Sequence, residues 1–198
     1  MQKKFFTSDW HTGEVPENVP YFPATHSYLR PQRTDVLISQ WIQTCHEKVD
    51  SSDTLYFLGD MAIQLTDLEV YKDLPACHKV LVMGDKEYAS KHFREEQFLE
   101  EIKKLDIFNE IIKNGEVRVG EVDWFMSHKP TDCLLQEKPA LCGHVHGIWR
   151  TQAMKNGQPI INVGVDAWFG LVSEDFVIHQ YNAITKGYYD RDARIDLW

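Results

Sequence analysis

Oxygen and imidazole side chains follow the apolar stretches of this sequence at five separate places. They belong to five short motifs: Asp9-Trp10-His11, Gly59-Asp60, Gly84-Asp85-Lys86-Glu87, Ser127-His128 and Gly143-His144-Val145-His146. No structural need explains why successive strands should end in such groups, whereas a site for divalent cations does. Two such ions, roughly 3.5–4 Å apart, clamp phosphoryl groups and generate a hydroxide at neutral pH. The pattern therefore predicts a centre for two metal ions.

Each motif is weak evidence by itself. A triplet such as Asp9 and His11 occurs by chance in many proteins, and Asp60 after a glycine also fits a helix N-cap or a turn. His144 and His146 alternate in an extended stretch flanked by glycines, which favours a site over a surface position. The prediction therefore depends on the motifs as a set.

Length and composition predict a single soluble domain covering residues 1–198. Hydrophobic residues make up 43% of the chain and charged residues 26%, as in ordinary globular proteins. The formal net charge of −9 argues against stable binding of duplex DNA, which needs Lys and Arg to displace counterions. An anionic substrate stays compatible with this charge, because two bound dications would add local positive charge.

The cysteines and apolar runs predict a cytoplasmic protein. The four cysteines are scattered and form no CxxC pair: Cys45, Cys77, Cys133 and Cys142. This spacing favours reduced thiols over a zinc knuckle or a disulfide framework. No apolar run reaches the roughly 18 residues that span a bilayer, and polar Thr7-Ser8-Asp9 ends the N-terminal apolar stretch too early for a signal peptide.

Apolar periodicity predicts alternating strands and helices in the front half of the chain and mostly strands in the back half. Front-half strands are expected over 4–7, 54–58 and 79–83, and helices over 34–49, 65–74 and 93–105. Later strands are expected over 110–113, 117–119, 122–127, 140–142, 160–163 and 176–179. Asn114-Gly115 and Asn156-Gly157 predict hairpin turns. This order favours an α/β sandwich with ligand loops at the carboxyl ends of strands.

Taken together and in this order, the motifs resemble those of the calcineurin-like metallophosphoesterases, above all the small bacterial and phage members. The family pattern is DxH, GD, GNH(D/E), H and GHxH, and the Asn-Val-Gly-Val-Asp stretch at 162–166 matches as well. The resemblance extends from Lys4 to about Trp168. It implies two facing mixed β-sheets flanked by helices and a metal-dependent phosphoesterase.

The resemblance also implies a set of metal ligands. These are Asp9, His11 and His146 for one ion, His128 and His144 for the other, and Asp60 as a bridge opposite a hydroxide that attacks phosphorus in line. We expect Mn²⁺ to support activity in vitro, with Fe, Zn or Ni as alternatives, because imidazole is a poor partner for Mg²⁺.

The sequence departs from the family pattern where GNH(D/E) is replaced by Gly84-Asp85-Lys86-Glu87. Asp85 stands at the position of an Asn ligand of the second metal, which predicts tighter binding of that ion and lower Lewis acidity. Lys86 stands at the position of a His held to stabilise charge or protonate the leaving group. A lysine titrates near 10.4 and is a poor acid at pH 7, although it can neutralise a phosphate oxygen or simply pair with a neighbouring carboxylate.

These departures predict hydrolysis of phosphodiesters or pyrophosphates in preference to phosphomonoesters. The predicted catalytic residues are Asp60, Asp85, Lys86 and His128. The predicted substrate contacts are His26, Arg30, Arg33, Lys86 and Lys129. The aromatic residues of the loop from 12 to 32 are expected either to stack on a nucleobase or to pack that loop onto the domain. Asn162, Gly164 and Asp166 are expected to orient a ligand histidine.

The expected partner is therefore a phosphate-containing small molecule or a nucleic-acid end. Three alternatives remain: a broad phosphomonoesterase, a catalytically silent metal-binding interaction module, and an unrelated two-histidine site in a sensor domain. Turnover with Mn²⁺, and its loss with EDTA, distinguishes an enzyme from a silent module.

Overall fold

The computed structural model describes residues 2–14, 30, 34–85 and 95–187. Within them, ten strands form two sheets of five strands each. The first sheet contains β1 (Lys4–Thr7), β2 (Thr54–Phe57), β3 (His78–Val82), β4 (Glu110–Ile112) and β10 (Val172–Ser173). Its strand order is β10-β1-β2-β3-β4, in which β1 to β4 are parallel and β10 is antiparallel to β1.

The second sheet is built from the back half of the chain. It contains β5 (Asn114–Val119), β6 (Val122–Ser127), β7 (Ala140–Cys142), β8 (Thr151–Ala153) and β9 (Pro159–Asn162). Its order is β5-β6-β7-β9-β8, with β6, β7 and β9 parallel and both edge strands antiparallel to their neighbours. Both sheets are therefore mixed, and each has parallel strands at its centre.

Helices complete the described part of the fold. They are α1 (Thr34–Lys48), a 3₁₀ helix (Leu65–Tyr71), α2 (Glu95–Lys104), α3 (Pro130–Cys133), α4 (Val165–Trp168) and α5 (Glu174–Thr185). Across these ranges no helix combines the length and the apolar character that a bilayer crossing requires.

Alternating side chains divide the hydrophobic core into layers. Phe5 of β1 packs with α1, α2 and the 3₁₀ helix on the outer face of the first sheet, whereas Phe6 packs against side chains of the second sheet. Trp124 of β6 and Leu141 of β7 belong to this layer between the sheets. Full burial of each such side chain contributes roughly 1.5–3 kcal/mol. The predicted architecture, two facing mixed sheets flanked by helices, is confirmed.

The predicted strands and helices overlap observed elements up to residue 163. Each predicted strand overlaps an observed one in that range, and each predicted helix overlaps a helix, although that over 65–74 is a 3₁₀ helix. The Asn156-Gly157 turn lies between antiparallel β8 and β9, with Gly157 at a φ of 81°. Strand β8 (Thr-Gln-Ala) contains no apolar run and β10 is only two residues long, so neither is predicted by the sequence pattern.

Two predictions are wrong. Residues 176–179 belong to α5 rather than to a strand, because Ser173 Oγ accepts the Phe176 N–H at 3.2 Å and caps a helix. Asn114-Gly115 makes no hairpin, because it opens β5 of the second sheet whereas β4 belongs to the first. The hairpin instead joins β5 to β6 at Gly120, which has a φ of 58°.

Candidate metal centre

The described residues of the five motifs meet at one edge of the sandwich, where parallel strands of both sheets end. The Asp9 N–H donates to Gly59 O at 3.0 Å, and the Gly143 N–H donates to His128 O at 3.0 Å. A bridge between Ser8 and Gly164 then joins the end of β1 to the segment after β9. Because the carboxyl ends of parallel strands collect at one edge, residues from distant parts of the chain surround a single site.

The first candidate ligand group is largely buried, with only His146 partly exposed. It consists of Asp9, His11 and His146, whose ligand atoms all lie within 4.8 Å of one another. Burial lowers the pKa of His11 to about 3, against the raising effect of the Asp60 and Asp9 charges. His11 is therefore neutral at pH 7, which is the form of imidazole that binds a metal.

The second candidate group is more open. It consists of Asp85, His128 and His144, with ligand atoms within 4.8 Å of one another, and His144 Nδ1 lies 3.3 Å from Asp85 Oδ2. His128 Nδ1 lies 2.7 Å from Leu58 O. Since a carbonyl only accepts, Nδ1 must carry the proton, which leaves Nε2 as the ligand atom.

Asp85 also contacts a cation. Its Oδ1 lies 2.7 Å from Lys129 Nζ. Burial raises the pKa of Asp85, but the hydrogen bond from Lys129 and the charges of His128, Lys129 and His144 outweigh it, so the net shift is downward. The same contact raises the pKa of Lys129. Asp85 is thus ionised and Lys129 protonated near neutral pH.

Asp60 lies between the two groups. Its Oδ2 is 3.6 Å from His11 Nε2, and its Oδ1 is 3.4 Å from His128 Nε2. Asp9, Asp60 and His128 form a third set of ligand atoms within 4.8 Å of one another. A mixture of carboxylate oxygens and imidazole nitrogens suits Mn, Fe, Zn or Ni. The donor set therefore fits the divalent ions predicted from the sequence.

Glycines allow these segments to approach each other. A Cβ on Gly143 would lie 1.9 Å from Ser8 Oγ and 2.8 Å from Asp9 Oδ2. Gly59 has a φ of 85°, and a Cβ there would lie 2.6 Å from both His128 Nδ1 and the Cα of Gly84. Any larger residue at either position would displace a candidate ligand.

The backbone at the candidate ligands adopts an unusual conformation. Seven non-glycine residues of the described chain have positive φ, and five of them are candidate ligands: Asp9, His11, Asp60, His144 and His146. Such conformations cost of order 1–3 kcal/mol each and persist only where the surrounding structure enforces them. Their concentration here marks a site at which geometry takes precedence over local stability.

His146 is oriented by a buried ion pair. Its Nδ1 donates to Asp166 Oδ2 at 2.6 Å, as predicted for Asp166. Arg30 Nε and Nη2 donate to the two oxygens of Asp166, each at 2.8 Å. The hydrogen bonds from His146 and Arg30 lower the pKa of Asp166 despite its burial. Burial lowers the pKa of His146, but Asp166 and the charge of Asp9 outweigh this effect and raise it.

Arg30 is not the substrate contact that the sequence predicted. Its side chain is buried with 2% exposure, and it also donates to the carbonyl oxygens of Asp9 and Trp10. Its guanidinium carbon lies 5.2 Å from the centre of the Trp41 ring. Arg30 therefore joins the Asp9 segment to the pair formed by Asp166 and His146. No local sequence signal reveals this role, because 136 positions separate Arg30 from Asp166.

A cleft of about 380 Å³ opens beside the second group. Gly84, Asp85 and His128 line it on the side of the metal centre, and Lys113, Lys129 and Asp132 also line it. Lys129, a substrate contact predicted from the sequence, lines this cleft, and so does Lys113, which was not among the predicted residues. The predicted contacts His26 and Arg33 and the predicted catalytic residue Lys86 lie outside the described residues.

Comparison with known proteins gives structural neighbours only. No protein-family model matches the sequence, and no curated protein does. The protein of unknown function AQ665 from Aquifex aeolicus is similar at a TM-score of 0.61 and 21% identity, over 91% of this chain and 100% of that chain. A novel archaeal phosphodiesterase has a TM-score of 0.48, 16% identity and coverage of 82% and 84%. Vacuolar protein sorting 29 from Cryptosporidium parvum has a TM-score of 0.41, 14% identity and coverage of 81% and 72%.

The likeness to AQ665 shows a shared fold. Because one fold hosts many activities, the function has to be inferred from the site and not from the architecture.

Proposed function

We propose that this protein is a phosphoesterase that depends on two divalent metal ions. Its substrates would be phosphodiesters or pyrophosphates of a nucleotide or a nucleic-acid end. The observation that carries the proposal is the position of Asp60, whose two oxygens face His11 and His128 at 3.6 and 3.4 Å. A carboxylate placed between two histidines of different ligand groups is suited to bridge two ions.

The residues of the chain have distinct tasks in this proposal. Asp9, His11 and His146 would hold one ion, Asp85, His128 and His144 the other, and Asp60 both. When bound, the ions supply Lewis acidity to a phosphoryl group and make hydroxide available at neutral pH. Leu58 O and Asp166 fix the rings of His128 and His146, and such support is typically worth 10–100-fold in metal affinity.

The proposed preference for diesters and pyrophosphates is inferred from the sequence motif Gly84-Asp85-Lys86-Glu87. In the sequence, Lys86 stands where the calcineurin-like pattern has a histidine held to protonate the leaving group, and lysine is a poor acid near neutral pH. A substrate whose leaving group departs without a proton needs no such acid. Activated diesters and pyrophosphates meet that condition better than alkyl monoesters do.

The test compares bis-p-nitrophenyl phosphate with p-nitrophenyl phosphate and with the alkyl monoester glycerol 2-phosphate in the presence of Mn²⁺. The alkyl monoester is needed because the two p-nitrophenyl compounds share one leaving group. We expect faster turnover of the diester, complete loss of turnover with EDTA, and loss in Asp60→Ala, which removes the bridge. Asp123→Ala is the matched control, because Asp123 is an exposed carboxylate paired with Arg118 at the surface.

Each alternative gives a different result in the same assay. Faster turnover of either monoester would replace the proposal with a broad phosphomonoesterase. Bound Mn²⁺ without turnover of any of these compounds would indicate a silent metal-binding module. Activity that survives Asp60→Ala would contradict the proposed bridge.

A further inference from the structure

Glu14 is a buried carboxylate beside His11, a candidate ligand of the first group. Its Oε2 lies 3.1 Å from His11 Nδ1, and the side chains of Glu14 and His11 are 4% and 1% exposed. A carboxylate is costly to bury unless polar or charged groups contact it, and here the imidazole of a candidate ligand is such a group. Glu14 was not among the residues predicted from the sequence.

A tight turn brings the two side chains together. The Glu14 N–H donates to His11 O at 3.0 Å, so the four residues from His11 to Glu14 form a β-turn that is closed by a backbone hydrogen bond. Gly13, the third residue of this turn, has a φ of 81°, as a type II turn requires at that position. The Thr12 N–H donates to Met61 O at 2.8 Å, which anchors the turn to the segment that follows β2. Local sequence spacing therefore places the carboxylate next to the ligand.

The two ring nitrogens of His11 face different groups. Nδ1 faces Glu14, whereas Nε2 lies 3.6 Å from Asp60 Oδ2 and 4.0 Å from Asp9 Oδ1. A neutral imidazole carries one proton, and an ionised carboxylate can only accept it. The Glu14 oxygen lies within the roughly 2.7–3.2 Å that is typical of N–H···O hydrogen bonds, and the other two oxygens lie beyond this range. The distances therefore favour a proton on Nδ1, which leaves the lone pair of Nε2 directed toward Asp9 and Asp60.

The same arrangement occurs at two other candidate ligands. Nδ1 of His128 lies 2.7 Å from a backbone carbonyl oxygen, and Nδ1 of His146 lies 2.6 Å from a carboxylate oxygen of Asp166. In each case the acceptor determines which nitrogen carries the proton and how the ring is oriented. Glu14 is placed relative to His11 as Asp166 is placed relative to His146.

We propose that Glu14 is a positioning residue for the first metal ion: it accepts the Nδ1 proton of His11 and thereby keeps Nε2 unprotonated for the ion. The inference rests on the proposed function, since it takes His11 to be a metal ligand. A carboxylate in this position also raises the basicity of the ligand nitrogen, and such partners are typically worth about 10–100-fold in metal affinity.

The first experiment determines the tautomer of His11 and needs neither metal nor turnover. Long-range ¹H–¹⁵N correlation spectra of the protein labelled with ¹⁵N-histidine distinguish a proton on Nδ1 from one on Nε2, and the signals of His11 are identified by their absence in His11→Gln. We expect the proton on Nδ1 in the unmodified, metal-free protein and in Glu14→Gln, whose amide oxygen can still accept it. In Glu14→Leu we expect the proton to move to Nε2, which faces Asp60.

The second experiment measures Mn²⁺ binding by calorimetry. Glu14→Leu should weaken the binding of one ion by about 10–100-fold, and Glu14→Gln should weaken it less, because the amide keeps the acceptor but not the charge. Glu110→Leu is the matched control, because Glu110 also faces a histidine: its Oε1 lies 2.9 Å from His78 Nε2. This pair lies at the amino ends of β3 and β4, at the opposite edge of the sheet from the metal centre, so its loss should leave Mn²⁺ binding unchanged.

The two experiments separate this inference from the proposed function. A proton on Nε2 of His11 in the unmodified protein would overturn the role of Glu14, and this result does not depend on whether Glu14→Leu folds. A tautomer that is unchanged in Glu14→Leu, or an Mn²⁺ affinity that is unchanged although the proton moves, would overturn it as well. Each of these results leaves the phosphoesterase proposal intact. Mn²⁺ binding that depends on Glu14, without turnover of any phosphoester, would support the positioning role and overturn the proposed activity.

Discussion

Replacement of Arg30 by methionine tests how the first ligand group is held. Arg30 and Asp166 are both buried, with side-chain exposures of 2% and 3%. The guanidinium contacts both oxygens of Asp166, which in turn orients His146. Arg30→Met keeps an unbranched side chain of similar length over Trp41 but removes all donors. It therefore leaves the Asp166 carboxylate buried with His146 as its described ionic partner.

The expected effects follow from this geometry. Removal of one member of a buried ion pair costs about 3–5 kcal/mol of unfolding free energy, and we expect a value near the lower end because His146 still donates to Asp166. The loss of support for a ligand histidine weakens metal binding by about 10–100-fold, or about 1.4–2.7 kcal/mol. Arg30→Lys retains the charge but not the contact with both oxygens of Asp166. Its stability and its Mn²⁺ affinity should therefore lie between those of the unmodified protein and those of Arg30→Met.

Two measurements on the same preparations test this prediction. Urea unfolding in EDTA reports the stability of the metal-free fold, and calorimetric titration with Mn²⁺ reports affinity and stoichiometry at each group. Arg118→Met is the matched control, because Arg118 is 53% exposed and pairs with Glu121 and Asp123 at the surface. Its loss should cost no more than about 1 kcal/mol and leave Mn²⁺ binding unchanged.

Metal affinity decides the outcome. Arg30→Met with reduced stability but unchanged Mn²⁺ affinity would show that Arg30 supports the fold and does not position His146. Stability within about 0.5 kcal/mol of the unmodified protein would refute the reasoning about the buried pair itself.

Three further perturbations test other parts of the centre. Gly143→Ala would place a Cβ 1.9 Å from Ser8 Oγ, so we expect urea unfolding to show a loss of about 1–3 kcal/mol, together with weaker Mn²⁺ binding. Asp85→Asn removes the negative charge that faces His144, and calorimetry should show weaker binding of the second Mn²⁺; unchanged metal content would argue against a ligand role. The pKa of Asp166 is lowered by folding, so its carboxylate stabilises the fold above its unfolded pKa of about 3.9, and this contribution disappears as the pH falls through the folded pKa. The stability difference between the unmodified protein and Asp166→Asn, measured in urea without metal, should therefore be full near pH 6 and shrink below about pH 4; a difference independent of pH would count against this linkage.

The part of the fold that could be predicted from sequence is the part in which local pattern and tertiary environment agree. Strand β6 was predicted with its observed bounds, Val122–Ser127, because its apolar run is both β-forming and buried. Helix α5 was missed because Phe176, Val177 and Ile178 have strand-forming side chains. The competing signal was present in Ser173, a capping residue followed by acidic residues in the first helical turn.

The candidate ligands were also accessible from sequence, because each follows an apolar strand and strand ends converge. The residues that orient these ligands could not be predicted in the same way. Asp166 and Arg30 are 136 positions apart, and nothing in either neighbourhood indicates the partner. The passage of the chain from the first sheet to the second at Lys113 is not predictable for a related reason, because Asn114-Gly115 equally fits a hairpin turn.

The two candidate ligand groups differ in exposure, and this difference predicts which of the two proposed ions exchanges faster with solvent. In the first group Asp9 and His11 are 0% and 1% exposed, whereas in the second Asp85 and His144 have side-chain exposures of 37% and 43%. Both groups include residues with positive φ, among them His11 and His144, which the surrounding structure must hold in place. If the two proposed ions bind, an ion held by the buried Asp9 and His11 would exchange slowly with solvent, whereas an ion held by Asp85 and His144 would stay accessible to solvent. We therefore expect an ion at the first group to exchange slowly. We expect an ion at the second group to be the one that contacts the substrate.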